Sequence, residues 1–386
     1  MNTIRKKNDI LETVYCVIVF LAVSYNVFQN STLKFVVSLP GSINLLFIVA
    51  CVLLSLPKKL YKSDLYLLAG IIIGLISYFN SSSKVLLSIM AFTFAGREYS
   101  FEKIVKTNKS SLLFSVTSVF LLDIVGVLPK IRNYVRNYSN DELRYTFGFT
   151  HPNVFALFVL ALVCCYYISL QSQNIRFKTI IPCLIGVFLT SFLSKSYTVS
   201  LVLLVLLFVL ATPFYKVVYR FVCKHIVFFR RAVIVFSLLL IGYIVFLAFQ
   251  TNKSALFDAL GYTASARLLY ANRALVEYGV SFLGQEIVTY NSLNYDVVNY
   301  NYFTVDCLYI LLLVRDGLLA SVVFWFSMFK SIKTMVRLHY LVGTIIIVLL
   351  LVYSVMESGL SFLCFGFVFI IPYAKHQIIR DSRIAS

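Results

Sequence analysis

The feature that most constrains this chain is a succession of long apolar runs divided by short basic gaps. Such runs occur near 11–28, 33–56, 64–79, 84–96, 110–128, 152–170, 177–193, 197–212, 232–249, 305–329, 340–356 and 359–373. A helix needs about 20 mostly apolar residues to cross roughly 30 Å of hydrocarbon. The pattern predicts an all-α polytopic membrane protein of about 12 transmembrane helices, forming one integral membrane domain over 1–386. Composition points the same way: the chain is 60% hydrophobic and 13% charged, with a mean hydropathy of +0.88. A soluble domain carries about 25% charged residues, so a cytosolic enzyme or a nucleic-acid-binding domain is excluded. The basic N-terminal stretch MNTIRKKNDI leads into a run with no small-residue cleavage site after it, so the first helix is expected to be retained.

The net charge of +18 reads as topology. With a cytoplasmic N-terminus, 23 basic residues fall in the inward gaps and 10 in the outward ones, while Arg315 lies inside a run. That asymmetry is what the positive-inside rule requires, and it predicts that both termini are cytoplasmic. The eight cysteines lie almost entirely within apolar runs, with no CxxC pair. They read as small buried hydrophobes, with neither a disulfide framework nor a zinc site expected.

Two outward segments are longer than a turn, 129–151 and 250–304, and long loops are where function concentrates. The first ends in RYTFGFTHPNVFALFVL. Pro152 suits a first helical position, Thr150 could cap the helix, and Gly148 permits a sharp turn before it. This would aim Arg144, His151, Asn153 and free helix-start amides at one place, an arrangement suited to phosphate. The same residues also read as a snorkelling arginine, a cap and an interfacial histidine.

The second segment, the large extracytoplasmic loop, contains TASARLLYANRALVEYGVSFLGQ. Leu268, Leu269, Leu275 and Val276 recur at helical spacing, predicting an amphipathic helix over Ser265–Tyr278 lying along the outer face. Arg273 and Glu277 stand four apart and can pair; Arg267 lacks such a neighbour and is the better anion ligand. The following NSLNYDVVNYNYF suits sugar binding and an interface belt equally. Asp306 opens the next run at the outer boundary, where a carboxylate must be paired or used, and near an arginine it could act as general base. Arg315 and Asp316 read as a structural ion pair. Asp123 and Glu357 are weaker acidic candidates, and Lys195 either neutralises a diphosphate or snorkels.

Four of these stretches carry a resemblance. RYTFGFTHPNVFALFVLAL is similar to the Arg-x3-Gly-x4-Asn opening of a mid-chain span in the O-antigen polymerase and ligase superfamily. LTSFLSKSYTVSLVLLVLLF resembles its Ser-Arg-Ser/Thr span, with Lys195 where arginine is usual. ASARLLYANRALVEYGVSFLGQ resembles its large-loop pattern, although the Gly-x-Gly after the helix is reduced to Gly284-Gln285-Glu286. FTVDCLYILLLVRDGLL resembles the span that closes the loop, with Asp306 where the ligases carry histidine. Together they cover about 144–318 in the family's order.

The resemblance implies a capsular or exopolysaccharide polymerase in the cytoplasmic membrane of a bacterium. Such an enzyme joins undecaprenyl-diphosphate-linked oligosaccharide repeat units on the outer face by inverting transfer, with no metal and no cofactor. By the resemblance Arg144 and Arg267 bind the diphosphate; with Asp306 as the base read from its position, these three are the expected catalytic residues, and the loop reading adds His151, Asn153, Lys195 and Arg273 as substrate-binding candidates. The expected partners are that lipid-linked oligosaccharide, membrane lipids, and a flippase and chain-length regulator of the same pathway. Nucleic acid is not among them. The rival reading is a lipid-linked oligosaccharide flippase, but the chain shows no two-half symmetry and its polar residues cluster at the outer boundary.

Overall fold

Helix boundaries in the computed structural model track the apolar runs, and the departures have local causes. The structure describes residues 2–56, 58–129, 134–138, 140–170, 177–211, 217, 220–221, 224–249, 261–289 and 303–376. The first part of the chain forms α1 (Asn2–Gln29), α2 (Ser42–Ser55), α3 (Asp64–Ser81), α4 (Val85–Gly96) and α5 (Phe101–Ile124). Next come α6 (Pro152–Leu170), α7 (Phe177–Phe188), α8 (Tyr197–Ala211), α9 (Ile226–Phe249) and α10 (Gly261–Tyr278). The chain then closes with α11 (Leu308–Leu311), α12 (Leu318–Arg337), α13 (Leu341–Tyr353) and α14 (Phe367–Ile370). Among the described residues five helical stretches are long and apolar enough to cross a membrane: Asp9–Gln29, Asp64–Ser81, Pro152–Leu170, Ile226–Phe246 and Leu318–Arg337. Shorter apolar helices, such as Ser42–Ser55 and Leu341–Tyr353, pack among them. This is an all-α architecture consistent with a multi-pass membrane protein.

Several runs are not single helices. The run at 33–56 is interrupted by Pro40-Gly41, so Thr32–Phe35 forms an isolated 3-10 turn and α2 starts at Ser42. Helix α5 begins nine residues ahead of its apolar run because the Ser100 hydroxyl accepts from the Lys103 amide at 3.5 Å. The run at 305–329 breaks at a π-turn, Leu312–Asp316, and at Gly317 with φ +95°. The run at 359–373 is a chain of 3-10 turns plus the one-turn α14, punctuated by Gly359, Gly366 and Pro372. The segment 129–151 also holds an antiparallel hairpin that the apolar pattern does not predict. Its strands are β1 (Tyr134–Tyr138) and β2 (Asn140–Arg144), with Tyr134 opposite Arg144.

Helix α10 starts earlier than its periodicity predicts, and its buried face is Ala271, Ala274 and Leu275, while Val276 points outward. Its C-terminal end is clasped onto the π-turn. Gly279 takes the positive φ that commonly ends a helix. The Gln285 amide donates to the carbonyls of Tyr278, Gly279 and Val314 at 3.0, 3.2 and 3.1 Å. The Gln285 backbone N–H donates to Arg315 O at 2.9 Å, and Ser77 Oγ donates to Asp316 O at 2.9 Å. Gly284 and Gly317 lie so close that a Cβ on Gly317 would sit 2.4 Å from Gly284 N. Asp316 accepts from Arg315 at 2.8 Å, the structural pair that the sequence predicts.

A second polar knot lies at the other end of α3 and α4. Arg97 is buried against Asp64, Nε to Oδ2 at 3.2 Å. Lys58 Nζ donates to Ala95 O and Arg97 O at 2.7 and 2.9 Å and sits 3.4 Å from the centre of the Tyr99 ring. Charges so placed hold only while paired, since the removal of one partner strands the other away from water.

Candidate functional site

Five separate stretches of chain meet at a polar cavity of about 440 Å³, reached from the loops before α6 and α11, the end of α1, helix α10 and the end of α13. Arg144 ends β2, where the chain turns toward α6. The loop that follows is tied to α1: Thr32 N donates to Gly148 O at 2.8 Å, and both Thr150 N and its hydroxyl donate to Asn30 O. Gly148 has φ +76°, and a Cβ there would meet Leu128 at 2.8 Å, so the turn requires glycine.

The start of α6 differs from the sequence expectation. Thr150 spends its hydroxyl on Asn30, and it is His151 that caps the helix, its Nδ1 accepting from Asn153 N at 3.1 Å. Pro152 has no N–H, and Val154 N donates to His151 O. The first amides of α6 are therefore engaged, and the anion site of free amides does not form. His151 and Asn153 still line the cavity, with Asn153 held at a fixed orientation.

The side chains converge on Glu357, in the turn after α13. Its Oε1 accepts from Arg267 Nη2 at 2.7 Å and from Asn153 Nδ2 at 3.1 Å. Asn153 Oδ1 in turn accepts from Arg144 Nη2 at 2.7 Å, and Arg144 Nε donates to Ser194 O at 3.1 Å. Arg267 Nη1 donates to Met356 O at 2.6 Å, and Nε lies 3.8 Å from Asp306 Oδ2. A continuous relay thus runs Arg144–Asn153–Glu357–Arg267–Asp306, and it brings together the two arginines and the aspartate singled out in the sequence. Arg267 is not the unpartnered cation expected from its neighbours along the helix, because its partners come from 39 and 90 positions away.

Electrostatics follow from this packing. Burial raises the Glu357 carboxyl from its ordinary range to about 7; Arg267 pulls it back down and Asp306 adds to the rise. Burial also raises Asp306, with Arg267 opposing. Burial works against the charge on Arg267, but Glu357 and Asp306 outweigh it and its pKa ends above the ordinary value. Near neutral pH the two carboxyls do not cancel Arg144, Arg267 and Lys34, all of which line the cavity. The site favours an anion.

Two predicted ligands lie elsewhere. Arg273 pairs with Glu277 at 2.5 Å and stacks over Phe303 at 4.7 Å, both away from the cavity lining. Lys195 occupies a left-handed turn, φ +48°, and does not line the cavity; its neighbours reach the site instead, Ser194 through Arg144 and Thr198 Oγ1 through Arg267 Nη1 at 3.4 Å. Asp123 does not line it either. The Tyr- and Asn-rich stretch 291–302 lies outside the described residues. Sequence reasoning underweighted Glu357, although it is the sole acid between Asp316 and Asp381. It missed Thr304 and Tyr353, which line the cavity and carry no distinguishing signal in the sequence. Among the described residues no group of three His, Cys, Asp or Glu side chains is placed to hold a metal ion. No family model, no curated protein and no solved structure matches the chain.

Proposed function

We propose that this protein is a polymerase that joins undecaprenyl-diphosphate-linked oligosaccharide repeat units on the outer face of a bacterial cytoplasmic membrane. The observation that carries the reading is the convergence of Arg144, Arg267 and Asp306 on one polar cavity at the end of an apolar bundle. In this reading the twelve apolar runs are spans, both termini are cytoplasmic, and α10 belongs to the large outer loop.

The chemistry assigned to the cavity is inverting glycosyl transfer. The guanidinium groups of Arg144 and Arg267 bind the donor's diphosphate and stabilise the charge that develops as the bond from the anomeric carbon to the phosphate oxygen breaks. The acceptor sugar hydroxyl attacks that carbon from the opposite face, and Asp306 takes its proton. Asp306 suits the base role better than Glu357. It is the more exposed of the two and meets Arg267 in a loose 3.8 Å contact, whereas Glu357 Oε1 is fixed by two donors. Glu357 and Asn153 keep the two arginines at a set separation.

The decisive test uses purified protein in nanodiscs with a synthetic undecaprenyl-diphosphate repeat unit, with products read on a gel. The expected result is a ladder from the wild type that Arg144→Ala and Arg267→Ala abolish while the variants still fold. Transbilayer movement of the same lipid without a ladder would replace the polymerase with the flippase.

A further inference from the structure

On the opposite face of α6 from the cavity lies a second recess, of about 530 Å³, with a different character. It runs between α5, α6 and α7, and its walls are almost wholly apolar: Leu113, Val116, Val159, Leu162 and Ile185 among them. From Lys109 to Phe120 the α5 wall is about 16 Å long at the α-helical rise. Gly186 lets α7 close on α6, since a Cβ there would sit 3.2 Å from Val163.

The two ends of the recess differ. Toward the cavity it is stopped by aromatic rings, Phe147 lying 5.8 Å from Phe120 and 4.8 Å from Phe155 between ring centres. At the other end stands Lys109, half-buried, with its ammonium 3.4 Å from Ser169 Oγ and 5.8 Å from the centre of the Tyr166 ring. No carboxylate among the described residues pairs with it. An apolar slot closed at one end and carrying at the other a cation with no carboxylate partner among the described residues is complementary to one molecule with an anionic head and a hydrocarbon tail. It is poorly suited to a chain entering from the cavity, which would have to pass the ring cluster and end on a charge.

We infer that this recess binds one anionic phospholipid, its phosphate on Lys109 and an acyl chain along α5 as far as Phe120. The site is separate from the proposed catalytic cavity and does not depend on the polymerase reading.

The test is native mass spectrometry of the full chain, delipidated in mild detergent and titrated with phosphatidylglycerol or phosphatidylcholine of identical chains. The expected result is one phosphatidylglycerol retained at least about five-fold more tightly than phosphatidylcholine. Lys109→Ala should bring the two to the same affinity and Lys109→Arg should keep the preference. Leu113→Trp or Thr117→Trp, which fill the slot from its open side, should lower the binding of both; two positions guard against one variant failing to fold. Equal affinity of the two lipids for the wild type, or an unchanged preference in Lys109→Ala, would overturn the assignment. Displacement of the phospholipid by undecaprenyl phosphate, with Lys109→Ala without effect, would overturn it in favour of a polyprenyl chain.

Discussion

Arg267 and Asn153 donate to the same oxygen of Glu357, at 2.7 and 3.1 Å, from helices that are far apart in the chain. A buried carboxylate held in this way fixes the distance between the two arms of the site, and it also titrates. Its folded-state pKa of about 7 lies above the ordinary 4.5, so the native state holds this proton more firmly than the unfolded chain. The associated stability is therefore present below pH 4.5 and lost as the pH rises through about 7. The melting temperature in detergent should fall between pH 5 and 8 by more in the wild type than in Glu357→Gln, which keeps an acceptor but no titrating group. Parallel pH curves for the two would refute the assignment.

Arg144 spans two acceptors, Ser194 O and Asn153 Oδ1, with one planar group. A lysine offers one point charge in place of that fork. Both Arg144→Ala and Arg144→Lys are expected to lose about 10²-fold or more in chain formation, with circular dichroism unchanged. Full rescue by lysine would reduce the role of Arg144 to charge alone.

Asp306→Asn preserves shape and removes the base. The expected loss in kcat is about 10²- to 10⁴-fold, with KM little affected. Turnover close to that of the wild type would transfer the role to another group, and Glu357→Gln under the same assay would tell whether it is that one.

Arg273 lies on the same helix as Arg267 and is expected to matter little. Its pair with Glu277 is exposed, and contacts of that kind contribute about 0.2–0.5 kcal/mol. Arg273→Ala should retain polymerisation within about two-fold. A loss comparable to that of Arg267→Ala would mean that the substrate extends over the outer side of α10.

Gly317→Ala should be the most damaging single methyl in the loop region. Its φ of +95° alone costs a side chain about 1–3 kcal/mol, and the new Cβ would overlap Gly284 N. Lower yield and a lower melting temperature are expected, whereas Gly242→Ala, where a Cβ meets nothing within 4 Å, serves as the control.

The helices were legible because the bilayer imposes a length and an apolar composition that soluble folds do not share. The arginines and Asp306 were legible because charge at a membrane boundary must be paired or used. Glu357 was harder to weigh, since its partners lie 90 and 204 residues upstream and no local pattern announces them. The different fates of Arg267 and Arg273 follow from helical phase: six residues at 3.6 per turn place them about 120° apart, and only one can face the cavity. The cap of α6 went to His151 rather than Thr150 because a backbone carbonyl of α1 captured the threonine hydroxyl. That contact is tertiary, so single-sequence reasoning does not reach it.

The position of Glu357 in the chain also sets an order of assembly. The ribosome makes Asn153 and Arg267 204 and 90 residues before the carboxylate that joins them. A nascent chain inserted only as far as α12 carries both guanidinium groups without the oxygen that links them. The cavity acquires its final geometry only when the turn after α13 arrives, and a chain interrupted before that turn leaves cationic arms with no hub. Quality control that recognises stranded charge at a membrane surface would then distinguish truncated chains from finished ones.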